Sequence, residues 1–392
     1  MPYALPGDWR WAKFGEVARV ASNLVDPELY PNEPHIAPNH IESATGRLLP
    51  YSTVSEDGVK SAKNRFSAGQ ILYSKIRPYL AKVALPDFSG LCSADMYPIE
   101  SSIDYRYLQH WMLSPDFTLA ASRKQGRNLL PKINVRELSS LPVPIPSSGD
   151  QQRIADVLDS VNDLRNERRE SVTLIDDLAQ SIFREMFGDP SVNPLGFPQV
   201  RLEEVSEQVT DGEHQTPKRE PHGIKLLSAR NVRDGFIDFS NVDYVGVQEY
   251  ERIRGRCDPR RGDVLISCSG TIGRVAPVET DERFSLVRSA ALVRPRRDVV
   301  STDYLVSYLR TPVMKARMIQ RANASSQANL FQGPIRELPV LIPPPGLQDE
   351  FGKRFRAVVD LKSQHSRHLE LLDELFMALQ HRAFRGELFA ET

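Results

Sequence analysis

Leu141-Pro142-Val143-Pro144-Ile145-Pro146 and Leu338-Pro339-Val340-Leu341-Ile342-Pro343 open two long amphipathic stretches that lie 197 residues apart. The same offset carries Gly149 onto Gly346, Gln151 onto Gln348, Val161-Asn162-Asp163-Leu164 onto Val358-Val359-Asp360-Leu361, and Asp176 and Phe187 onto Asp373 and Phe384. Solenoid units repeat every 20–50 residues or so, far short of this period. The chain is therefore read as a duplicated domain pair.

Each half repeats one order: an irregular β-rich segment, a proline-rich hinge, then a long helix. Gln70-Ile71-Leu72-Tyr73-Ser74 and Val143-Pro144-Ile145 read as short strands among Pro, Gly and Asn turns, and Tyr105 to Leu113 as a helix stopped before Pro115. In the second half Gly262-Asp263-Val264-Leu265 answers Gly69-Gln70-Ile71-Leu72, Arg274-Val275-Ala276 answers Lys82-Val83-Ala84, and Thr311-Pro312 answers Ser114-Pro115. The offsets drift among these matches, as expected where loops vary and cores persist.

The hinges lead into an apolar seam. It runs through Ile154, Val157, Val161, Leu164, Ile175, Leu178 and Ile182, ends at Gly188 and Pro190, and returns as Phe351, Val358, Leu361, Leu372, Leu375 and Leu379. Steps of three and four predict two helices about 50–60 Å long, pairing as an antiparallel coiled coil. Each seam has a polar middle, Arg168 and Ser171 in one helix and His365 and His368 in the other. These groups either fix the register or are simply solvated.

The fold class expected is α+β. Two mixed α/β globular domains, residues 1–146 and 190–343, are each followed by a spacer helix, residues 147–189 and 344–392, with pseudo-twofold symmetry. Hydrophobic content of 40% suits a well-cored soluble protein, and 50 basic against 51 acidic residues leave no global field, so basic patches must be judged locally. Cys92, Cys257 and Cys268 lack partners at zinc spacing and read as reduced thiols. No signal-like or membrane-length apolar run is present, so a cytoplasmic location without membrane association is expected.

No catalytic motif stands out. The chain lacks an Asp-Pro-Pro-Tyr or Asn-Pro-Pro-Tyr stretch for a flipped adenine and a Gly-x-Gly-x-x-Gly cofactor loop. Gly270-Thr271-Ile272-Gly273-Arg274 lacks a Gly-Lys-Ser/Thr ending and reads as a turn between strands. Pro115-Asp116 with Ser122-Arg123-Lys124 lacks the acid that a metal nuclease places two residues before the lysine. The chain is expected to be no enzyme and to hold no metal or cofactor; an unrecognised site around Asp95, Glu100 and Asp104 is the rival.

What the chain does carry are basic, amide-rich loops. Arg123, Lys124, Gln125, Arg127, Asn128 and Lys132 form one, and Arg321, Asn323, Ser325, Gln327 and Asn329 its counterpart. Arg, Asn and Gln reach base edges, while Lys and Arg bind phosphate. Lys63, Asn64, Arg65, Lys75 and Arg77 join them in the first half, and His214, Gln215, Thr216, Lys218, Arg230 and Asn231 in the second. The run Arg252 to Arg261 is a candidate phosphate-contacting rim.

Gly69 to Tyr79, Asp211-Gly212-Glu213-His214-Gln215-Thr216-Pro217, Gly262 to Ser267 and both hinges followed by Gln resemble the specificity subunit of type I restriction-modification enzymes. The resemblance covers nearly the whole chain. It departs mildly at the second hinge, where Leu347 precedes Gln348 although the family pattern usually sets an acid before the glutamine, as Asp150 stands before Gln151 in the first.

The resemblance implies a subunit that reads a bipartite double-stranded DNA target with two recognition domains. Its helices would hold those domains a fixed distance apart, with half-sites about one helical turn or 34 Å apart, and dock two methyltransferase subunits. Through these, restriction subunits would join. S-adenosylmethionine, ATP and Mg belong, on this reading, to the partners. A stand-alone DNA-binding regulator or coiled-coil scaffold is the alternative.

Overall fold

The protein is described as a computed structural model covering residues 3–124, 131–322 and 329–389. The chain forms two compact units, one of Met1–Arg169 with Arg367–Thr392, the other of Glu170–Ser366. Each unit therefore draws one segment from each long helix, Ser148–Phe187 and Pro345–Ala383.

In the first unit a four-stranded sheet has the order Ala18–Val20, Met96–Ser101, Ile71–Ser74, Val83–Ala84. A five-stranded sheet orders Leu24–Val25, Lys63–Phe66, Gly90–Cys92, Pro34–Ile36, Ser52–Thr53. The second unit repeats the four-stranded order with Ser206–Asp211, Ala290–Pro295, Val264–Ser267 and Val275–Pro277. Its other sheet has four strands: Arg219–Glu220, Asp243–Val245, Ile224–Leu227, Phe284–Leu286. Gly270 to Gly273 is a turn between strands, as read from the sequence.

The hinges are strands that proline makes one-sided. Pro142–Ile145 pairs with Arg10–Lys13, and Pro339–Leu341 with Gln199–Arg201. Proline has no N–H, so the other edge of each hinge offers mainly carbonyls. Aromatic donors satisfy them. Tyr107 Oη donates to Pro144 O at 2.8 Å and Trp111 Nε1 to Pro142 O at 3.0 Å. In the second unit Tyr304 Oη donates to Leu341 O at 2.8 Å and Tyr308 Oη to Pro339 O at 3.0 Å.

These donors sit on equivalent helices, Tyr105–Met112 and Thr302–Leu309, capped by Asp104 and Ser301. The buried glutamines that open the long helices complete the clamp. Gln151 accepts from Asp104 N at 3.0 Å and donates to Pro146 O at 3.1 Å. Gln348 accepts from Ser301 N at 2.8 Å and donates to Pro343 O at 2.9 Å. All these pairs obey the 197-residue offset. The constant register thus begins near Asp104 and Ser301, well before the hinges.

Within each unit the helix segments pack antiparallel. In the first, Arg153 lies 3.9 Å over the Phe389 ring while Arg165 meets Asp373 at 2.6 Å. In the second, Phe183 meets Phe351 and Asp176 meets Lys362 at 2.7 Å. The seam differs from the sequence reading. Ile154, Val161, Ile175 and Val358 are buried, and Ile182, Leu372 and Leu379 half-buried, but Leu164, Leu178, Leu361 and Leu375 are 39–50% exposed.

Those four leucines lie off the inward-facing stripe. The inward stripe runs through buried Ile154, Leu158, Val161 and Arg165 in the first helix and through buried Phe351, Phe355 and Val358 to half-buried Lys362 in the second, in steps of four, three and four. Ala179 and Phe183 continue it in one unit and Phe376 and Phe384 in the other.

Two turns close the units alike. Gly188 (φ 76°) packs on Pro194, and Gly386 (φ 72°) on Pro6, so closely that neither position has room for a side chain. No helix among the described residues is long and apolar enough to cross a membrane.

Candidate nucleic-acid interface

In the first unit the basic residues gather where helix Pro115–Lys124 ends. Arg123 and Lys124 are exposed at its last turn. Gln125, Arg127 and Asn128 lie outside the described residues. The chain returns at Pro131, whose carbonyl accepts from Arg77 N at 2.8 Å, and Ile133 N donates to Lys75 O at 2.9 Å. Backbone pairing thus brings Lys75, Arg77 and Lys132 beside one another from distant stretches of sequence. A single carboxylate serves two of them: Asp95 lies 3.8 Å from Lys75 and 3.3 Å from Lys132.

The second unit repeats the arrangement with different chemistry. Leu330 N donates to Cys268 O at 2.8 Å, Cys268 N to Ser289 O at 2.7 Å, and Arg288 N to Glu213 O at 3.0 Å. These bonds draw together half-buried Asn329, exposed Arg288 and the phrase containing exposed His214, Gln215 and Thr216. His214 pairs with Asp211 at 2.7 Å. Asn323, Ser325 and Gln327 lie outside the described residues. Arg321 turns back to Pro334 O at 2.8 Å. Lys218 is exposed, and Arg230 pairs with Asp243 at 3.2 Å. Arg288 was missed in the sequence, where it stands alone; only strand pairing shows its neighbours.

Three expected contact residues are structural instead. Asn64 is buried, accepting from Ser22 Oγ at 2.9 Å and donating to Met96 O at 3.2 Å. Asn231 is buried and donates to Asp238 O and Asn241 O at 3.0 and 2.8 Å. Their amides are spent on main-chain carbonyls inside the fold. Lys63 folds back onto Ser61 O at 2.8 Å. Arg65 stays at the surface, paired with Glu33 at 3.1 Å.

The basic run Arg252 to Arg261 is neutralised locally. Arg252 meets Glu213 and Glu249, Arg254 meets Glu251, Arg256 meets Asp211, Arg260 meets Asp258 and Arg261 meets Asp281, all within 3.3 Å. Such matching leaves little field for phosphate. The three cysteines are buried, and burial pushes each thiol up to about 12. They stay protonated at neutral pH.

Residues 6–174 match the family described as the type I restriction modification DNA specificity domain. This stretch is similar to that specificity domain. Its repeat, sharing the hinge clamp and the four-stranded sheet order, occupies the second unit. The specificity subunit of the EcoDI type I restriction enzyme of Escherichia coli is 46% identical over 188 residues, which is 47% of this chain and 42% of that protein. The EcoBI specificity subunit of the same organism is 25% identical over 173 residues, 43% of this chain and 36% of that one. The aligned stretch thus spans less than half the length of either relative.

Likeness in fold to solved structures extends over the full chain. The S subunit of a type I restriction-modification system from M. genitalium superposes with a TM-score of 0.60 at 12% identity, covering 100% of this chain and 99% of that one. A chain solved in work on assembly and conformational transition of the type I R-M system gives 0.56 at 21% identity, covering 99% and 100%.

Proposed function

We propose that this chain is the non-catalytic specificity subunit of a type I restriction-modification complex, each unit reading one half of a bipartite double-stranded DNA target. The observation that carries the reading is the contrast inside the repeat. The hinge clamp recurs bond for bond, while the loop clusters beside it differ, with Lys75, Arg77 and Lys132 in one and His214, Arg288 and Asn329 in the other. A shared frame with divergent surfaces suits two readers of different sequences.

The exposed leucines support a partner that docks twice. Leu164, Leu371 and Leu375 are exposed in the first unit, and Leu361, Leu174 and Leu178, their equivalents, in the second. Large apolar side chains repeated on a helical surface favour association. On this reading each set meets one methyltransferase subunit, and restriction subunits join through these. S-adenosylmethionine, ATP and Mg act in the partners, and the complex works in the cytoplasm.

Co-expression of the full chain with methyltransferase and restriction subunits from the same host tests the proposal. Affinity capture followed by native mass determination should find two methyltransferase copies per chain, and the host methylome should show one bipartite adenine-methylated sequence that disappears on deletion of this gene. Capture of the chain alone, with an unchanged methylome, would instead favour a stand-alone regulator.

A further inference from the structure

The turn after strand Ile71–Ser74 differs from its counterpart in the one way that matters for backbone strain. In the second unit the turn after Val264–Ser267 adopts left-handed backbone at Gly270 (φ 68°) and Gly273 (φ 81°). The equivalent left-handed positions of the first unit are Arg77 (φ 48°) and Ala81 (φ 44°). Glycine takes this conformation without steric cost, whereas a Cβ is crowded there. The second unit, whose turn is one residue shorter, closes with glycine at both positions, so a side chain is not what the conformation there calls for.

No described acidic residue of the first unit pairs with Arg77 either. It is exposed and has no acidic partner among the described residues, unlike the matched arginines of the run from Arg252 to Arg261. Its charged neighbour is Lys82, whose proton affinity is lowered by burial and then by the Arg77 guanidinium. The turn is rigidly held: Arg77 N donates to Pro131 O at 2.8 Å, Ala81 N to Pro78 O at 3.0 Å, and Ala44 N to Ala81 O at 3.2 Å. Pro78 is buried beneath it, and Tyr79 stands 51% exposed at its tip. An unmatched guanidinium and an exposed aromatic ring on a fixed, strained turn form a contact surface kept at a cost to the fold.

Resting on the function proposed above, we infer that Arg77–Ala81 is the first unit's reading finger, with Arg77 contacting a base edge in one half of the DNA target and Tyr79 packing beside it. A guanidinium reads guanine by two parallel hydrogen bonds, which demands the fixed placement that this turn supplies.

The test uses the full chain, with any co-purifying subunits retained, and a pool of duplexes randomised over the target length. If the wild type enriches no bipartite sequence, the proposed function itself fails. If it does, Arg77→Gly should melt no lower than wild type, keep one half-site unchanged, and lose preference at a base position of the other. Its affinity for the wild-type duplex should fall about tenfold or more. Ala81→Gly should raise the melting temperature without altering the selected sequence. The inference is overturned by an Arg77→Gly chain that enriches the wild-type sequence, that melts lower than wild type, or that weakens all duplexes evenly with a shallower salt dependence, the mark of a phosphate contact.

Discussion

Arg165 and Asp373 form an ion pair at 2.6 Å, and the positions equivalent to them under the repeat, Lys362 and Asp176, form the same pair at 2.7 Å. One bridge has thus been inherited twice, once per unit, but in different surroundings. The Arg165 side chain is 9% exposed, bonded to Asn162 Oδ1 at 3.1 Å and lying over the Phe376 ring at 4.3 Å. Lys362 is 31% exposed.

Burial should make the two bridges unequal. Asp373→Ala strands a nearly buried guanidinium and should destabilise the first unit by about 2 kcal/mol. Asp176→Ala leaves a lysine that water can reach and should cost about 0.5 kcal/mol. Denaturant melts of the two variants give the comparison; equal losses would contradict the burial argument.

The hinge glutamines should be sensitive to isosteric replacement. Gln151→Leu leaves Asp104 N and Pro146 O without partners in a buried place, at about 2 kcal/mol. Gln348→Leu removes bonds to Ser301 N, Pro343 O and Val299 O and should cost at least as much. Proteolysis near each hinge, followed by mass spectrometry, should show the affected unit opening first.

One pair has reversed its sign. Arg106 meets Asp159 at 3.1 Å in the first unit, while Asp303 meets Arg356 at 2.6 Å at the equivalent positions of the second. Asp303→Arg sets two guanidinium groups face to face and should cost about 1 kcal/mol. Adding Arg356→Asp should recover all but about 0.5 kcal/mol. A double variant no more stable than the single one would show that charge is not what matters there.

The same two sites should respond to acid in opposite senses. Burial tends to raise Asp159, but the His110 hydrogen bond at 2.7 Å, with Arg106, outweighs it and holds the carboxyl below its ordinary 3.8. Its stabilising contribution is present above 3.8 and is lost as pH falls through the lower folded value. Burial raises Asp303 above 3.8 in spite of Arg356. Folding then favours the protonated acid, so that contribution is present below 3.8 and is lost as pH rises through the folded value. Urea melts of Asp159→Asn and Asp303→Asn across pH 3–6 should therefore show slope changes of opposite sign relative to wild type.

The duplication, the hinges and both long helices were legible because they rest on local pattern: prolines, a glutamine cap and a period of three to four residues. The face of the helices was not. Leu164 and Leu178 look like core, yet Arg165 and Ala179 occupy the seam, since an arginine can be buried by a partner far along the chain. The hinge clamp was hidden by chemistry that changes its letters and keeps its bonds, as when Trp111 is answered by Tyr308. At the loop clusters, residue type misled for Asn64 and Asn231. An amide suits a base edge and a buried loop carbonyl equally, and only the fold decides between them.

The paired turns at Gly188 and Gly386 carry a consequence for connectivity. In the second unit Gly188 reaches Pro194 along the chain, through residues 189–193; in the first, Gly386 meets Pro6 with no short covalent path between them. The same closure is made once by a linker and once by packing alone. Continuity of the backbone through 189–193 is therefore not what seats a globular part on its helix, and severing it should leave the seat intact.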